Sequence, residues 1–327
     1  MNFAVFYPAS SFSDYSADSD QIERVKSLIG VANIPPVEGE SKHDEFMRLI
    51  RDPSIHAIIA WRGGIVEGED THNSSIELVE SLSDSDWNEI RNSNTIVVGL
   101  SDVSYLLNAM QSKGIICYYG PNIQSSIIKT EDDSTNETTI DYLLGVLSGR
   151  IKHIDFSDTR LTVGQYNPFT VCGGEAAGIL IGGNLNTTYE YVKRFGNPFS
   201  AVEGHTILFL EEVDPYYGKW RYPAVNPPTV ETMINLLKNE KIFESVAGLI
   251  IGRSKEPHAI DPEDGVFPPR INNESELILL DSLMAELNLK DIPVLANVAS
   301  GHLPPVVTMP LGRKIRLNAD EKTIDFN

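Results

Sequence analysis

Through the first third of the chain, short runs of β-branched and apolar residues alternate with longer amphipathic stretches. Phe3–Tyr7, Ala57–Trp61, Thr95–Gly99 and Ile115–Tyr118 predict strands. Asp20–Ile29, Lys42–Arg51, Ile76–Leu82, Asp86–Arg91 and Ser104–Gln111 predict the helices between them. Strands and helices alternating at this spacing imply parallel βαβ units, hence an α/β fold with an open, doubly wound sheet. Chemistry in such sheets gathers at the carboxyl ends of the strands.

The pattern then loosens. The polar, acidic stretch Glu131–Glu137 reads as a loop, followed by a helix through Leu147, and Gly149–Phe169 carries few long apolar runs. A domain linker is expected there, dividing the chain into residues 1–155 and 156–327. The second part predicts glycine-punctuated strands at Gly178–Gly182 and Thr206–Leu210 and a helix at Val230–Lys238. A strand at Gly248–Gly252, a helix at Glu274–Leu287 and strands at Val294–Ala296 and Lys314–Leu317 follow. This is the pattern of a mixed α+β domain with its own sheet.

Composition narrows the function. Of 327 residues, 41% are hydrophobic, and 46 acidic residues face 26 basic ones, giving a net charge of −20. Such a surface repels phosphate backbones and anionic lipid, so neither nucleic acid nor a membrane surface is an expected partner. No run approaches the roughly 18 apolar residues of a membrane span, and the N-terminus lacks the basic and long apolar regions of a signal peptide. The two cysteines, Cys117 and Cys172, are too few for a disulfide framework and fit a reducing compartment. A cytoplasmic protein is expected.

Four constellations could carry chemistry. In Val97–Ser104 an apolar strand meets Gly99, then Ser101, and a helix begins at once. A sharp strand-to-helix turn exposes a serine Oγ, and the helix N-terminus favours a developing oxyanion. The competing reading of Ser101 is a helix N-cap; Val103 stands where an ordinary G-x-S-x-G elbow has its second glycine. Trp61-Arg62-Gly63-Gly64 follows another strand, where paired glycines either bring backbone N–H groups to a ligand or simply turn the chain. Glu211 and Glu212 end an apolar strand, where a carboxylate can orient an imidazole or merely form a solvated turn. His302, like His205, is a glycine-flanked histidine at a strand boundary, a setting shared with many surface residues. Metal chemistry has little support: H-E-x-x-H and paired Cys/His spacings are absent, as are a P-loop and G-x-G-x-x-G.

The order of these segments is more specific than any one of them. Arg62-Gly63-Gly64, Gly99-Leu100-Ser101-Asp102, Tyr119-Gly120-Pro121, Gly182-Gly183-Asn184-Leu185, Leu210-Glu211-Glu212, Gly248–Gly252 and Gly301-His302 followed by Met309-Pro310-Leu311-Gly312 occur in one chain. The sequence thereby resembles the serine peptidase family of the LD-carboxypeptidases and microcin C self-immunity peptidases, from Phe3 to about Leu317. The resemblance implies a two-domain serine hydrolase, commonly dimeric, that needs no cofactor. Ser101 would be the nucleophile, His302 the general acid/base and Glu211 the group holding the imidazole. The N–H groups of Asp102 and Gly64 would form the oxyanion hole; beside what the resemblance implies, Arg62, Gly63 and Trp220 are candidate substrate contacts.

The chain departs from the family at Ile65-Val66-Glu67-Gly68, Tyr189–Arg194 and the aromatic, proline-rich Tyr216–Pro223. Trp220, Tyr217 and Tyr222 either stack on a planar group such as a nucleobase or pack on the domain surface. Three functions follow. The first is amide hydrolysis of a peptidyl or aminoacyl nucleotide through an acyl-enzyme on Ser101. The second is carboxypeptidase action on a murein tetrapeptide, and the third is a non-catalytic binding protein on the same fold.

Overall fold

The computed structural model describes residues 1–8, 25, 28–30, 37, 39–63, 75–128, 133–162, 167–211, 213, 229–253, 284, 285, 287 and 289–327. Its architecture is α/β. Strands β1 (Phe3–Phe6), β2 (Ala57–Ala60), β3 (Ile96–Gly99) and β4 (Cys117–Tyr119) pair in parallel, in sequence order. They are short and almost wholly apolar because both faces are covered. β11 (Met309–Leu311) comes from far along the chain to close this sheet, antiparallel to β4.

The second sheet is mixed. β7 (Glu175–Asn184), β8 (Thr206–Glu211), β9 (Val246–Arg253) and β10 (Val294–Gly301) run parallel. Antiparallel β12 (Lys314–Asn318), β13 (Thr323–Phe326) and β5 (His153–Asp155) extend one edge, and β6 (Phe169–Cys172) closes the other.

The helices follow from local chemistry. α1 (Lys42–Arg51) starts at Ser41, whose Oγ accepts the Asp44 N–H at 3.1 Å, and buries Phe46, Met47, Leu49 and Ile50. α2 (Ser75–Ser81) and α3 (Asp84–Ser93) follow, the latter opened by a capping box between Ser83 and Asp86. α4 (Ser104–Ser112) is buried along nearly its whole length, including the polar side chains of Ser104, Asn108 and Gln111. α5 (Asp133–Leu147), α6 (Leu185–Phe195) and α7 (Val230–Asn239) complete the set with defined bounds. No helix among the described residues is long and apolar enough to cross a membrane.

Two expectations need correction. The segment 131–137 is not all loop, because α5 begins at Asp133. The Thr138 and Thr139 hydroxyls bond the carbonyls of Ser134 and Thr135 at 2.9 and 3.0 Å, so polar residues suited to a turn instead form a first helical turn. Residues 185–195, with no predicted element, form α6, capped by Asn184 and burying Leu185, Tyr191 and Val192. Most of the predicted helices Asp20–Ile29 and Glu274–Leu287 lies outside the described residues; Val25, Leu28, Ile29, Met284 and Ala285 within them are helical.

Both parallel runs keep sequence order, so neither offers a strand-order reversal at which a crevice would open. The two sheets meet instead at the carboxyl ends of their strands, where the Tyr119 hydroxyl bonds Glu211. α4 carries the contact on one face, at the spacing of successive helical turns. Ser104 Oγ accepts the Asn184 N–H at 3.3 Å, and Asn108 Nδ2 donates to Thr188 Oγ1 at 3.1 Å. The Gln111 amide pairs with both backbone groups of Gly182, at 3.0 and 3.1 Å. A buried polar stripe is tolerable because the opposing chain satisfies it.

Candidate active site

β3 ends at Gly99, where a β-carbon would press within 2.6 Å of Val103 Cγ1, so the chain can fold back sharply there. Leu100 is extended (φ −142°, ψ 175°), and Ser101 then adopts φ +63°, the left-handed region that costs a residue with a β-carbon on the order of 1 kcal/mol. The Asn122 amide brackets the preceding residue, accepting Leu100 N–H at 3.1 Å and donating to Leu100 O at 3.3 Å. Ser101 is not a helix cap. The cap positions of the 3-10 turn Ser101–Val103 and of α4 are Leu100 and Val103, and neither makes a side-chain cap bond. Strain at a serine that caps nothing marks a turn held for another purpose.

Asp102 is buried. Its carboxylate accepts the Ser75 N–H at 2.8 Å, and its carbonyl accepts the Ser75 hydroxyl at 2.6 Å. The side chain therefore ties the elbow to the start of α2. Its backbone N faces Gly63: a β-carbon on Gly63 would lie 3.3 Å from Asp102 N and 2.9 Å from Ser101 Cβ. Arg62 and Gly63 are half-buried at the end of β2. Gly64, Glu212 and Trp220 lie outside the described residues, as does the Tyr216–Pro223 segment.

Glu211 is the last residue of β8 and is fully buried. Its Oε1 accepts from His302 twice, from the backbone N–H at 3.1 Å and from Nδ1 at 2.6 Å. Its Oε2 accepts the Tyr119 hydroxyl and Asn184 Nδ2, each at 2.8 Å. Four donors from three strand ends thus satisfy one carboxylate. The approach depends on Gly301 (φ +142°), where a β-carbon would fall 2.6 Å from Glu211 Cγ and 2.8 Å from its Oε1. Since a carboxylate only accepts, Nδ1 carries the proton and Nε2 is left as the basic nitrogen. The His302 side chain keeps 11% of its surface exposed.

The structure brings Glu211 and His302 together directly, and Ser101 to the same junction through other groups. Thr187 Oγ1 donates to the Ser101 carbonyl at 3.3 Å, and Asn184, which caps the same helix by accepting Thr187 N–H at 3.1 Å, donates to Glu211. Among the described residues no hydrogen bond joins Ser101 to His302. His205 precedes β8, at the opposite end from Glu211, and is exposed. No group of three or more His, Cys, Asp or Glu suited to a metal ion occurs among the described residues.

Four residues of this junction had no role assigned from the sequence: Tyr119, Asn122, Asn184 and Thr187. Tyr119 and Asn184 sit in distinctive glycine-rich segments, but nothing in those segments says that their side chains converge on one carboxylate.

Residues 36–120 match the LD-carboxypeptidase N-terminal domain and residues 177–317 the LD-carboxypeptidase C-terminal domain. The chain belongs to the LD-carboxypeptidase family. It is 26% identical over 294 residues to the putative carboxypeptidase YocD of Bacillus subtilis, covering 86% of this chain and 78% of the relative. To the microcin C7 self-immunity protein MccF of Escherichia coli it is 25% identical over 305 residues, covering 88% of this chain and 78% of MccF. The probable murein peptide carboxypeptidase of B. subtilis is 25% identical over 278 residues, with 84% of this chain and 72% of the relative covered. Solved structures share the fold over the whole chain. A muramoyltetrapeptide carboxypeptidase from Oxalobacter formigenes superposes with a TM-score of 0.69 at 20% identity, covering 100% of this chain and 98% of that one. MccF in complex with glutamyl sulfamoyl guanosine gives 0.67 at 18% identity, covering 100% and 95%. The family and its named relatives make this member of the LD-carboxypeptidase family a peptidase.

Proposed function

We propose that this protein hydrolyses a terminal amide bond through an acyl-enzyme on Ser101, with His302 as general acid/base and Glu211 as the group that orients it. The observation that carries the reading is the pair of hydrogen bonds from His302 to one oxygen of a fully buried carboxylate, at 2.6 and 3.1 Å, at the junction that also holds a strained serine elbow. A serine hydroxyl is a weak nucleophile until an adjacent base takes its proton. In this reading the Ser101 Oγ–carbon bond forms as its proton passes to His302 Nε2. The imidazolium then protonates the departing amine nitrogen as the carbon–nitrogen bond breaks. Water, deprotonated by the same nitrogen, adds to the acyl carbon, and Ser101 recovers its proton as the ester opens. Glu211 keeps the imidazole in the Nδ1–H tautomer throughout. The N–H of Asp102, beside Gly63, and that of Gly64 receive the developing oxyanion, where one donor is worth about 3–4 kcal/mol. Ser101 and His302 come into hydrogen-bond contact on substrate binding, as catalytic pairs that are loose in the free enzyme do.

For the substrate, we propose a peptidyl or aminoacyl nucleotide. The MccF likeness supports it, as does the aromatic composition of Tyr216–Pro223, since such side chains can stack on a nucleobase. Arg62, Gly63 and Trp220 would contact the substrate. A murein tetrapeptide is the competing substrate, supported by the murein peptide carboxypeptidase relative. A homodimer in the cytoplasm belongs to the same reading.

Hydrolysis of an aminoacyl sulfamoyl adenosine and of an LD-tetrapeptide, each followed against pH, tests both parts. Turnover is expected to fall on the acid side as His302 protonates, and His302→Ala should abolish that limb with most of the rate. An unchanged pH profile in the variant rules His302 out as the base. Preference for the tetrapeptide overturns the nucleotide reading alone.

A further inference from the structure

The segment Tyr119–Asn122 touches both halves of the junction. Tyr119 ends β4 in register with Gly99, two residues before Ser101. The Gly120 N–H bonds the Gly99 carbonyl at 3.1 Å, and Asn122 brackets Leu100, the residue next to Ser101. From the same segment the Tyr119 hydroxyl crosses to Glu211 Oε2 at 2.8 Å. The Tyr119 ring is fully buried, edge-on to Phe209 of β8 with centroids 5.1 Å apart. One rigid stretch therefore grips the backbone that presents Ser101 and, through a single hydroxyl, the carboxylate that holds His302.

We infer that Tyr119 is a positioning residue for the proposed reaction: its hydroxyl fixes Glu211 relative to the Ser101 elbow and restrains the charge that Glu211 presents to His302. The inference rests on the catalytic reading above. Its electrostatic half follows from sharing. Each donor on Oε2 draws negative charge away from the imidazole, so losing one leaves the carboxylate a stronger partner for the imidazolium. Among the described residues, the titratable and charged groups that the strands bring to this end include Glu211 of β8, Arg253 of β9, Asp102 after β3, whose carboxylate bonds the Ser75 N–H, and Arg62 after β2. Arg253 is buried and bonds the Leu161 carbonyl at 2.6 Å. Asn184 remains on Oε2 as the second, uncharged donor.

Tyr119→Phe removes the hydroxyl and keeps the buried ring, so the variant should fold. The test follows the His302 imidazole by NMR in protein with 15N-labelled histidine, wild type against Tyr119→Phe, with His302→Ala to assign the resonance. The titration midpoint of His302 is expected to rise by about half a unit in Tyr119→Phe. On whichever substrate the wild type turns over, kcat should fall roughly tenfold with KM within twofold. An unmoved midpoint overturns the proposal, whatever happens to melting temperature, because a purely structural role lowers stability without retuning the imidazole. A raised KM at unchanged kcat also overturns it, since that is the signature of a substrate contact. The NMR arm needs no turnover. Full activity in Ser101→Ala together with a shifted midpoint would therefore reject the catalytic reading and leave the Tyr119–Glu211–His302 coupling standing.

Discussion

Gly63 lies so close to Ser101 that a β-carbon on it would stand 2.9 Å from Ser101 Cβ and 3.2 Å from its Oγ. The loop after β2 and the elbow after β3 are thus in contact at the point where a substrate carbonyl would enter. Gly63→Ala is expected to lower kcat/KM by at least about a hundredfold by displacing the nucleophile or the Asp102 N–H. Residue 63 is half-buried and has no positive φ, so the melting temperature should move little. Steady-state kinetics beside a thermal melt checks both halves; an active Gly63→Ala enzyme would mean that this contact does not border the reacting atoms.

The backbone of Ser101 yields a second prediction, with opposite signs for stability and activity. At φ +63° a glycine is unstrained. Ser101→Gly should therefore raise stability by about 1 kcal/mol while removing the nucleophile. Denaturant unfolding compared with turnover would show it, and a destabilised Ser101→Gly would mean that the hydroxyl does structural work after all.

These elements also show where the sequence was readable. The β3 run into Gly99 and the helix from Ser104 are local signals, and the structure has them at Ile96–Gly99 and Ser104–Ser112. What local pattern cannot express is convergence. Glu211 is bonded by residues 92, 27 and 91 positions away, and Tyr119 reads only as the start of Tyr119-Gly120-Pro121, just past a predicted strand. In α6 the Asn184 cap is a local signal, but the face that packs against α4 is defined only by tertiary contact. β11 is hard to read for a related reason: three residues of an antiparallel edge have too little pattern to announce a strand, and its pairing with β4 is a long-range contact.

The polar contact between the sheets should be costly to break. Gln111 satisfies both the N–H and the carbonyl of Gly182. Gln111→Ala would leave both buried and unpaired, at about 2–4 kcal/mol in total. Urea unfolding is expected to report that loss, together with reduced activity, because Gly182 lies two residues from Asn184. A change within error would show that this stretch of the interface contributes no net stability.

Glu45 predicts a pH dependence of stability unrelated to turnover. On α1 it is buried, and burial pushes its carboxyl up from 4.5 to about 7. Glu40 adds to the rise, while the Tyr7 N–H, Arg48 and Lys42 oppose it. Because the folded state holds this proton more tightly than the unfolded chain, folding takes up a proton between the two values. Stability therefore falls as pH climbs from about 4.5 to about 7, and the loss is complete above that. Glu45→Gln has no such proton to lose. Relative to wild type its stability should rise across this window, by on the order of 3 kcal/mol at most. Melting temperatures of both proteins at pH 5 and pH 8 check this; a constant difference would contradict it.

The most direct test of the account is the turnover number of Ser101→Ala on the two candidate substrates, measured beside wild type with both proteins shown to be folded. A buried carboxylate, an oriented imidazole and a strained elbow make sense together as machinery for activating one hydroxyl. Removing that hydroxyl should cost at least roughly a thousandfold in kcat. Turnover within a few-fold of wild type would contradict it.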